Sequence, residues 1–214
     1  MKKIMFNDRY GLTQAVLEGR KTMTRRIITC PKSFKGEWVA GFRVSKRQSD
    51  GAILEYPCMY DADEQNFDGG QILPKYKIGE IVAIAQSYKD AGFNPKVPLM
   101  EANGVGGYVR TEVSLGWTNK MFVRADLMPH QIRITNIRVE KLQDISDEDC
   151  IKEGIRDYST PNERRYGYSD FKIEEIVAFR SPREAFASLI DRISGKGTWK
   201  SNPYVFAYEF ELVK

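Results

Sequence analysis

The sequence predicts one α+β domain, residues 1–214, built on a mostly antiparallel β-barrel with short peripheral helices. Gln131 to Glu140 alternates apolar and polar residues over the length of a long half-buried strand, and Tyr204 to Val213 reads as a second long strand. Helical signals are short and few. Strands and helices do not alternate regularly, which argues against a doubly wound parallel sheet.

Asn7 or Asp8 is placed to cap a short helix through Tyr10, Leu12, Ala15, Val16 and Leu17, with Gly19 as its stop. Thr22 to Ile28 is rich in β-branched residues and predicts a strand. Residues 31–73 look like an insertion. Within it, 38–44 and 52–56 flank the turn-like Ser49-Asp50-Gly51 and predict a hairpin, and the acidic stretch Asp61 to Gly70 predicts a loop. Ile78-Gly79-Glu80 leads into a buried strand, Ile81 to Ala85. Residues 90–118 form a second insertion, rich in glycine and irregular. Met121 to Arg124 alternates as a short strand. Ser146-Asp147-Glu148-Asp149 is a capping box for a helix ending at Gly154. Tyr158 to Tyr168 is polar and loop-like. Ser181-Pro182-Arg183-Glu184 starts a helix with Phe186, Leu189, Ile190 and Ile193 as its apolar stripe.

The 214 residues are 42% hydrophobic and 12% aromatic, values that describe a packed chain rather than a disordered one. The longest apolar run is Ile81 to Ala85, far short of the roughly 20 residues that span a bilayer. The first residues turn polar at Asn7-Asp8 before a signal core can form, so a cytoplasmic location and no membrane partner are expected. Cys30, Cys58 and Cys150 are widely spaced and His130 is the sole histidine. No disulfide framework or zinc site can be written with them, and a Ser-His-Asp triad would have to use His130, which stands beside Pro129 with no nucleophile signature near it. Gly104-Val105-Gly106-Gly107 neither follows a strand nor opens a helix, so it fails as a dinucleotide loop and no cofactor is expected.

The net charge of +4 conceals a gradient. Residues 1–50 carry 12 lysines and arginines against 4 acids, a net +8, while 51–150 are acidic on balance. The densest part of the basic stretch is Gly19-Arg20-Lys21-Thr22-Met23-Thr24-Arg25-Arg26. Period-two alternation puts Thr22, Thr24 and Arg26 on one face and Met23 and Arg25 on the other, with Lys21 at the turn and able to swing toward the Thr24 hydroxyl. A lysine desolvated among other cations loses its proton more readily and can act as a base. The same residues also read as a solvated basic strand end.

Gly19-x-Lys21-x-x-Thr24-x-Arg26 resembles the signature of the ASCH superfamily, G-x-K-x-x-[ET]-x-R. The order of the later segments agrees: 76–82 resembles the family's glycine-acid turn before a barrel strand, 134–142 the next strand and 144–155 the helix after it. Residues 182–193 and 199–205 resemble the end of the longer, often phage-borne members. The resemblance implies a PUA-like barrel. Small bacterial members are amidohydrolases that remove the acetyl group of N4-acetylcytidine, which implies catalytic roles here for Lys21, Thr24 and Glu153. An oxyanion donor is also needed, for which Arg26 and a main-chain amide near Gly19 are candidates. One departure is Gln86, where longer members often carry a glutamate that can move a proton.

A non-catalytic RNA-binding module of the PUA type is the alternative. Gly19, Arg20, Arg25, Arg26, Trp38 and Arg43 are the candidate RNA or nucleoside contacts, because cations suit phosphates and exposed aromatics stack bases. A ribonuclease would use the same basic cleft, although a histidine pair or metal cluster for cleavage cannot be assembled from this composition.

Overall fold

The computed structural model of the protein describes residues 1–93, 95 and 114–213. It is a mixed α+β structure, mostly strands with few helices. The chain runs through β1 (Lys2–Ile4), a 3₁₀ turn (Asp8–Tyr10), α1 (Leu12–Leu17) and β2 (Met23–Ile27). Five short strands follow: β3 (Ser33–Phe34), β4 (Glu37–Trp38), β5 (Gly41–Arg43), β6 (Cys58–Tyr60) and β7 (Asn66–Gln71). Next come β8 (Ile81–Ile84), β9 (Gln131–Lys141), α2 (Asp147–Lys152), β10 (Arg156–Asp157), β11 (Tyr166–Asp170) and β12 (Glu175–Phe179). The chain closes with α3 (Pro182–Ser194), α4 (Thr198–Ser201) and β13 (Tyr204–Val213). The predicted glycine loop at 104–107, and most of the segment 90–118, lie outside the described residues.

The central sheet has the order β1-β8-β9-β13-β2, with β1 parallel to β8 and the other pairs antiparallel. It is open: among the described residues no ladder joins β1 to β2, so the expected closed barrel is not formed. The sheet nevertheless curls. Its two edge strands would stand roughly 19 Å apart in a flat sheet, four spacings of about 4.8 Å. Yet the Arg26 guanidinium in β2 donates to the carbonyl of Met5, just past β1, at 2.7 Å. Phe6 completes the approach by packing on Phe210 of β13, ring centroids 5.7 Å apart. The gap between the edges is thus narrow enough for one arginine to cross it.

One face of the sheet and the surrounding helices share a core that includes Ile4, Val16, Val82, Ile84, Ile132, Ile134, Leu142, Leu189 and Val205. Helix α3 enters through a capping box at Ser181 and Glu184 with Pro182 in its first turn, as expected. It buries Phe186, Leu189 and Ile190. Each such side chain contributes about 1.5–3 kcal/mol, against ~1 kcal/mol for the cap, so packing holds this helix and the cap sets where it starts. Among the described residues no helix is long and apolar enough to cross a membrane.

Four local expectations need correction. The hairpin between 38–44 and 52–56 does not form. Instead β5 pairs with β6, and only an isolated bridge, Lys46 with Ile53, marks the turn at 49–51. Gly41 accommodates this pairing: a Cβ there would lie 2.5 Å from the Tyr60 hydroxyl, so glycine leaves that ring free to lie across the strand. The acidic loop contains β7, paired with β6. Met121 to Arg124 begins with a 3₁₀ turn capped by the Asn119 side chain rather than a strand. The polar stretch 158–168 ends in β11, at the centre of a three-stranded sheet with β10 and β12. That sheet is tied down by Asp170, which receives Arg9 Nε and Nη2 at 2.7 Å each.

Candidate active site

The site lies along β2, whose one side pairs with β13 while the other is the sheet edge. Helix α1 ends at Leu17, and just past its cap Gly19 adopts a left-handed φ of 72°. The amides of Arg20 and Lys21 both donate to Ala15 O at 2.9 Å, and this turn sends the Lys21 side chain inward. Opposite stands the end of α2. Ser146 caps that helix and three acids, Asp147, Glu148 and Asp149, fill its first turn, where the helix dipole favours negative charge. Glu153 caps the other end, where a carboxylate meets the unfavourable pole. Two cations offset this.

Lys21 is only 2% exposed and Glu153 5%. The Lys21 amine donates to Glu153 Oε2 at 2.7 Å, Glu153 O at 2.6 Å and Met23 O at 2.7 Å, which engages all three protons of an ammonium group. Arg25 donates to the other carboxylate oxygen, Glu153 Oε1, at 3.2 Å. Gly154 makes room for the Lys21 stem: a Cβ there would sit 3.1 Å from Leu12 and 3.5 Å from Lys21. Burial pushes the Lys21 amine below its ordinary pKa; Glu153 opposes that shift, and the charges of Arg26 and Arg25 add to it.

A cavity of about 270 Å³ opens at this point, lined on its polar side by Lys21, Thr24, Arg25, Arg26 and Glu153. Its apolar walls come from Phe6 and Leu12 and from the last turns of α3, Phe186 to Ile193. The predicted trio therefore shares one cavity, although Glu153 is 132 residues from Lys21. Within it the amine faces Glu153 and main-chain carbonyls rather than the Thr24 hydroxyl. Thr24 lies on β2 opposite Tyr208 and is buried.

The ladder fixes what the β2 edge presents. Ile28 N donates to Tyr204 O, and Phe210 N to Thr22 O, both at 2.9 Å. Even-numbered residues of β2 are thus the hydrogen-bonded partners of β13, and the main chain of Met23, Arg25 and Ile27 turns outward. Met23 O accordingly accepts Lys21. The N–H of Arg25, the residue after Thr24, is directed out from the same edge. The amides expected near Gly19 are not free, since Gly19 N donates to Val16 O.

The candidate ligand contacts separate into two groups. Arg26 is exposed and lines the cavity, its guanidinium 6.0 Å from the Phe6 ring. Arg25 also lines it but is buried, paired with Glu140 at 2.6 Å and Asp149 at 2.9 Å as well as with Glu153. Gly19 and Arg20 lie outside the lining, and Arg20 pairs with Glu18. Trp38, 63% exposed, and Arg43, stacked 4.6 Å from the Tyr60 ring, belong to the 31–73 segment and do not line the cavity. Gln86 receives His130 Nδ1 at 2.7 Å, away from the cavity lining.

Sequence reasoning missed the carboxylates that hold Arg25. Arg138 joins them, bonding Asp149 at 2.9 Å as well as Glu140 and Glu209. Glu140 and Arg138 also line a larger cavity of about 620 Å³ between β9 and residues 46–56. Larger size does not make it the better candidate: none of the predicted trio reaches it, and its Arg138 and Glu140 are already paired. Among the described residues no three His, Cys, Asp or Glu side chains are arranged to hold a metal ion. No family model, curated protein or solved structure matches the chain.

Proposed function

We propose that this chain is an ASCH-type protein with a PUA-like core that hydrolyses the amide of an N4-acylated cytidine or a similar modified nucleoside in the cytoplasm. One observation carries the reading: Lys21, Thr24 and Glu153 line a single cavity, with Arg25 and Arg26 beside them and Phe6, Leu12 and apolar residues of α3 across from them. Apolar walls suit the faces of a base, and the polar side offers the groups an acyl transfer needs.

In this reading neutral Lys21 takes the Thr24 Oγ1 proton as the oxygen attacks the amide carbonyl. The outward N–H of Arg25, beside the nucleophile, and Arg26 at the cavity wall serve the oxyanion, a type of contact worth roughly 2.7–4 kcal/mol when removed elsewhere. The proton passes from Lys21 to the leaving N4 amine, the C–N bond breaks, and an acyl-Thr24 ester remains. Water then releases the carboxylic acid and restores the hydroxyl. Glu153 anchors Lys21 through Oε2, and for the proton transfer the amine turns from the Met23 and Glu153 carbonyls to the Thr24 hydroxyl.

Purified protein should release acetate from N4-acetylcytidine, and Lys21→Ala and Thr24→Ala should each abolish it while Thr24→Ser retains part. Turnover unaffected by both alanine changes would eliminate the mechanism. Because the base must be neutral and burial lowers the Lys21 pKa, the rate should climb with pH and level off below the ordinary lysine value of 10.5.

A second reading, RNA binding without turnover, is favoured by the exposed Trp38 and the Arg43–Tyr60 stack. Affinity for a single-stranded oligonucleotide that falls steeply with salt would support it, and salt-independent binding would count against it.

A further inference from the structure

The Glu153 carboxylate is shared. Oε2 receives Lys21 at 2.7 Å, and Oε1 receives Arg25 at 3.2 Å. Arg25 is itself fixed from two other elements, by Glu140 of β9 and by Asp149 one helical turn before Glu153 on α2. Asp149 and Glu153 are four residues apart and so project from the same helix face, where one planar guanidinium fork engages both. Its side chain is 1% exposed, so water cannot take over these bonds. The motif that points to Lys21, Thr24 and Arg26 has no place for Arg25, yet no other cation of β2 touches so many of the site's acids.

We infer that Arg25 is the positioning residue of this site: it turns Glu153 so that Oε2 alone faces Lys21 and, by claiming Oε1, keeps Glu153 from binding the Lys21 proton too tightly for release. This deepens the amidohydrolase reading, since it concerns the same Lys21 acting as base. The charged groups facing Lys21 are Glu153 from α2 and Arg25 and Arg26 from β2, while α3 contributes apolar Phe186, Leu189 and Ile190 to the shared cavity. Without Arg25 two effects act in the same direction. Glu153 becomes the partner of Lys21 alone, and Glu140 and Asp149 lose their buried counter-charge, while Arg138 and the more distant Lys152 are the cations that still pair with them among the described residues. Both strengthen the hold on the Lys21 proton. Arg25 does not touch the reacting atoms through its side chain, so its effect is read on Lys21.

The test follows the Lys21 side-chain signals by NMR across pH in full-length, lysine-labelled protein, with Lys21→Arg identifying the resonance. In the wild type Lys21 should titrate below the exposed lysines. Arg25→Met should move its midpoint to higher pH, and Arg25→Lys, which keeps one charge but not the fork, should fall between. An unmoved midpoint in folded Arg25→Met protein overturns the inference. If that variant does not fold, Arg25→Lys decides, with an unmoved midpoint again overturning it. In the acetate assay kcat at pH 7 should fall in the variant and recover at higher pH with KM unchanged, whereas a loss equal at every pH marks a merely structural arginine. The titration needs no turnover, so a wild type that releases no acetate refutes the amidohydrolase reading alone.

Discussion

Arg25 and Arg43 lie 18 positions apart in one basic stretch, and the fold gives them opposite tasks. Around Arg25 the charges are paired, and Lys21, Glu153 and Arg25 itself are buried, in a chain that runs from Lys21 through Glu153, Arg25 and Asp149 to the half-exposed Arg138. Around Arg43 the cations are exposed, with the guanidinium resting on Tyr60 and donating to Glu64 O at 2.8 Å. The first arrangement is costly to disturb and suits chemistry on a small enclosed substrate. The second costs little to disturb and suits contact with a long charged partner. The contrast shows why net charge by segment cannot identify a binding face: it counts Arg25 and Arg43 equally.

The sharpest way to break the contrast is to remove one buried partner. Glu153→Ala leaves Lys21 and Arg25 short of an acid and should cost about 3–5 kcal/mol in urea unfolding. Lys21→Met combined with Glu153→Gln should cost clearly less than the two single changes added together, because the pair is coupled. Simple additivity would dissolve the idea of a linked network.

Asp170 supplies a buried ion pair away from the cavity. The Arg9 hydrogen bonds hold its carboxyl below the ordinary value of 3.8, more than offsetting burial, and Arg192 assists. Its contribution is therefore present above that value and is lost as pH falls from there through the folded-state pKa. Melting temperature measured over that range should fall in the wild type and much less in Asp170→Asn. Acetate release at neutral pH should be unaffected by the change, which separates structural pairs from those of the site.

Ser181→Ala removes the cap of α3, the helix that walls the cavity, and should cost ~1 kcal/mol. It should leave kcat unaltered, since Phe186 to Ile193 remain packed. The smallest stability effects belong to the exposed region: Trp38→Ala and Arg43→Ala should stay within about 0.5 kcal/mol of wild type. Under the RNA-binding reading these two should still weaken oligonucleotide affinity, and Arg43→Ala should reduce its salt dependence. A large loss of stability in either would make the 31–73 segment a structural element rather than a contact surface.

Local signals were legible wherever one short stretch encodes one element. Ser181-Pro182-Arg183-Glu184 begins α3, Ser146 begins α2, and the alternation of 131–140 marks β9. Partner choice was not legible. Nothing in the pattern of 41–43 says that it pairs with 58–60; that depends on Gly41 meeting Tyr60 in space. β11 carries a weak local signal because Gly167, Ser169 and Asp170 dilute the strand preference of Tyr166 and Tyr168, and its strand geometry comes from pairing on both sides. Glu153 was reached only through a resemblance, and the carboxylates that hold Arg25 carry no mark at all in the sequence.

The sequence by itself determined the α+β class, the long strands, the capped helices and the Lys21/Thr24 segment, because backbone propensity, capping and side-chain period are local properties. Tertiary structure decided that the sheet stays open yet curls, that Lys21 faces Glu153 rather than Thr24, and that Arg25 is buried in a network while Arg43 is not. Those outcomes depend on which charges lose their water and which neighbours replace it. That is settled only when distant segments pack together.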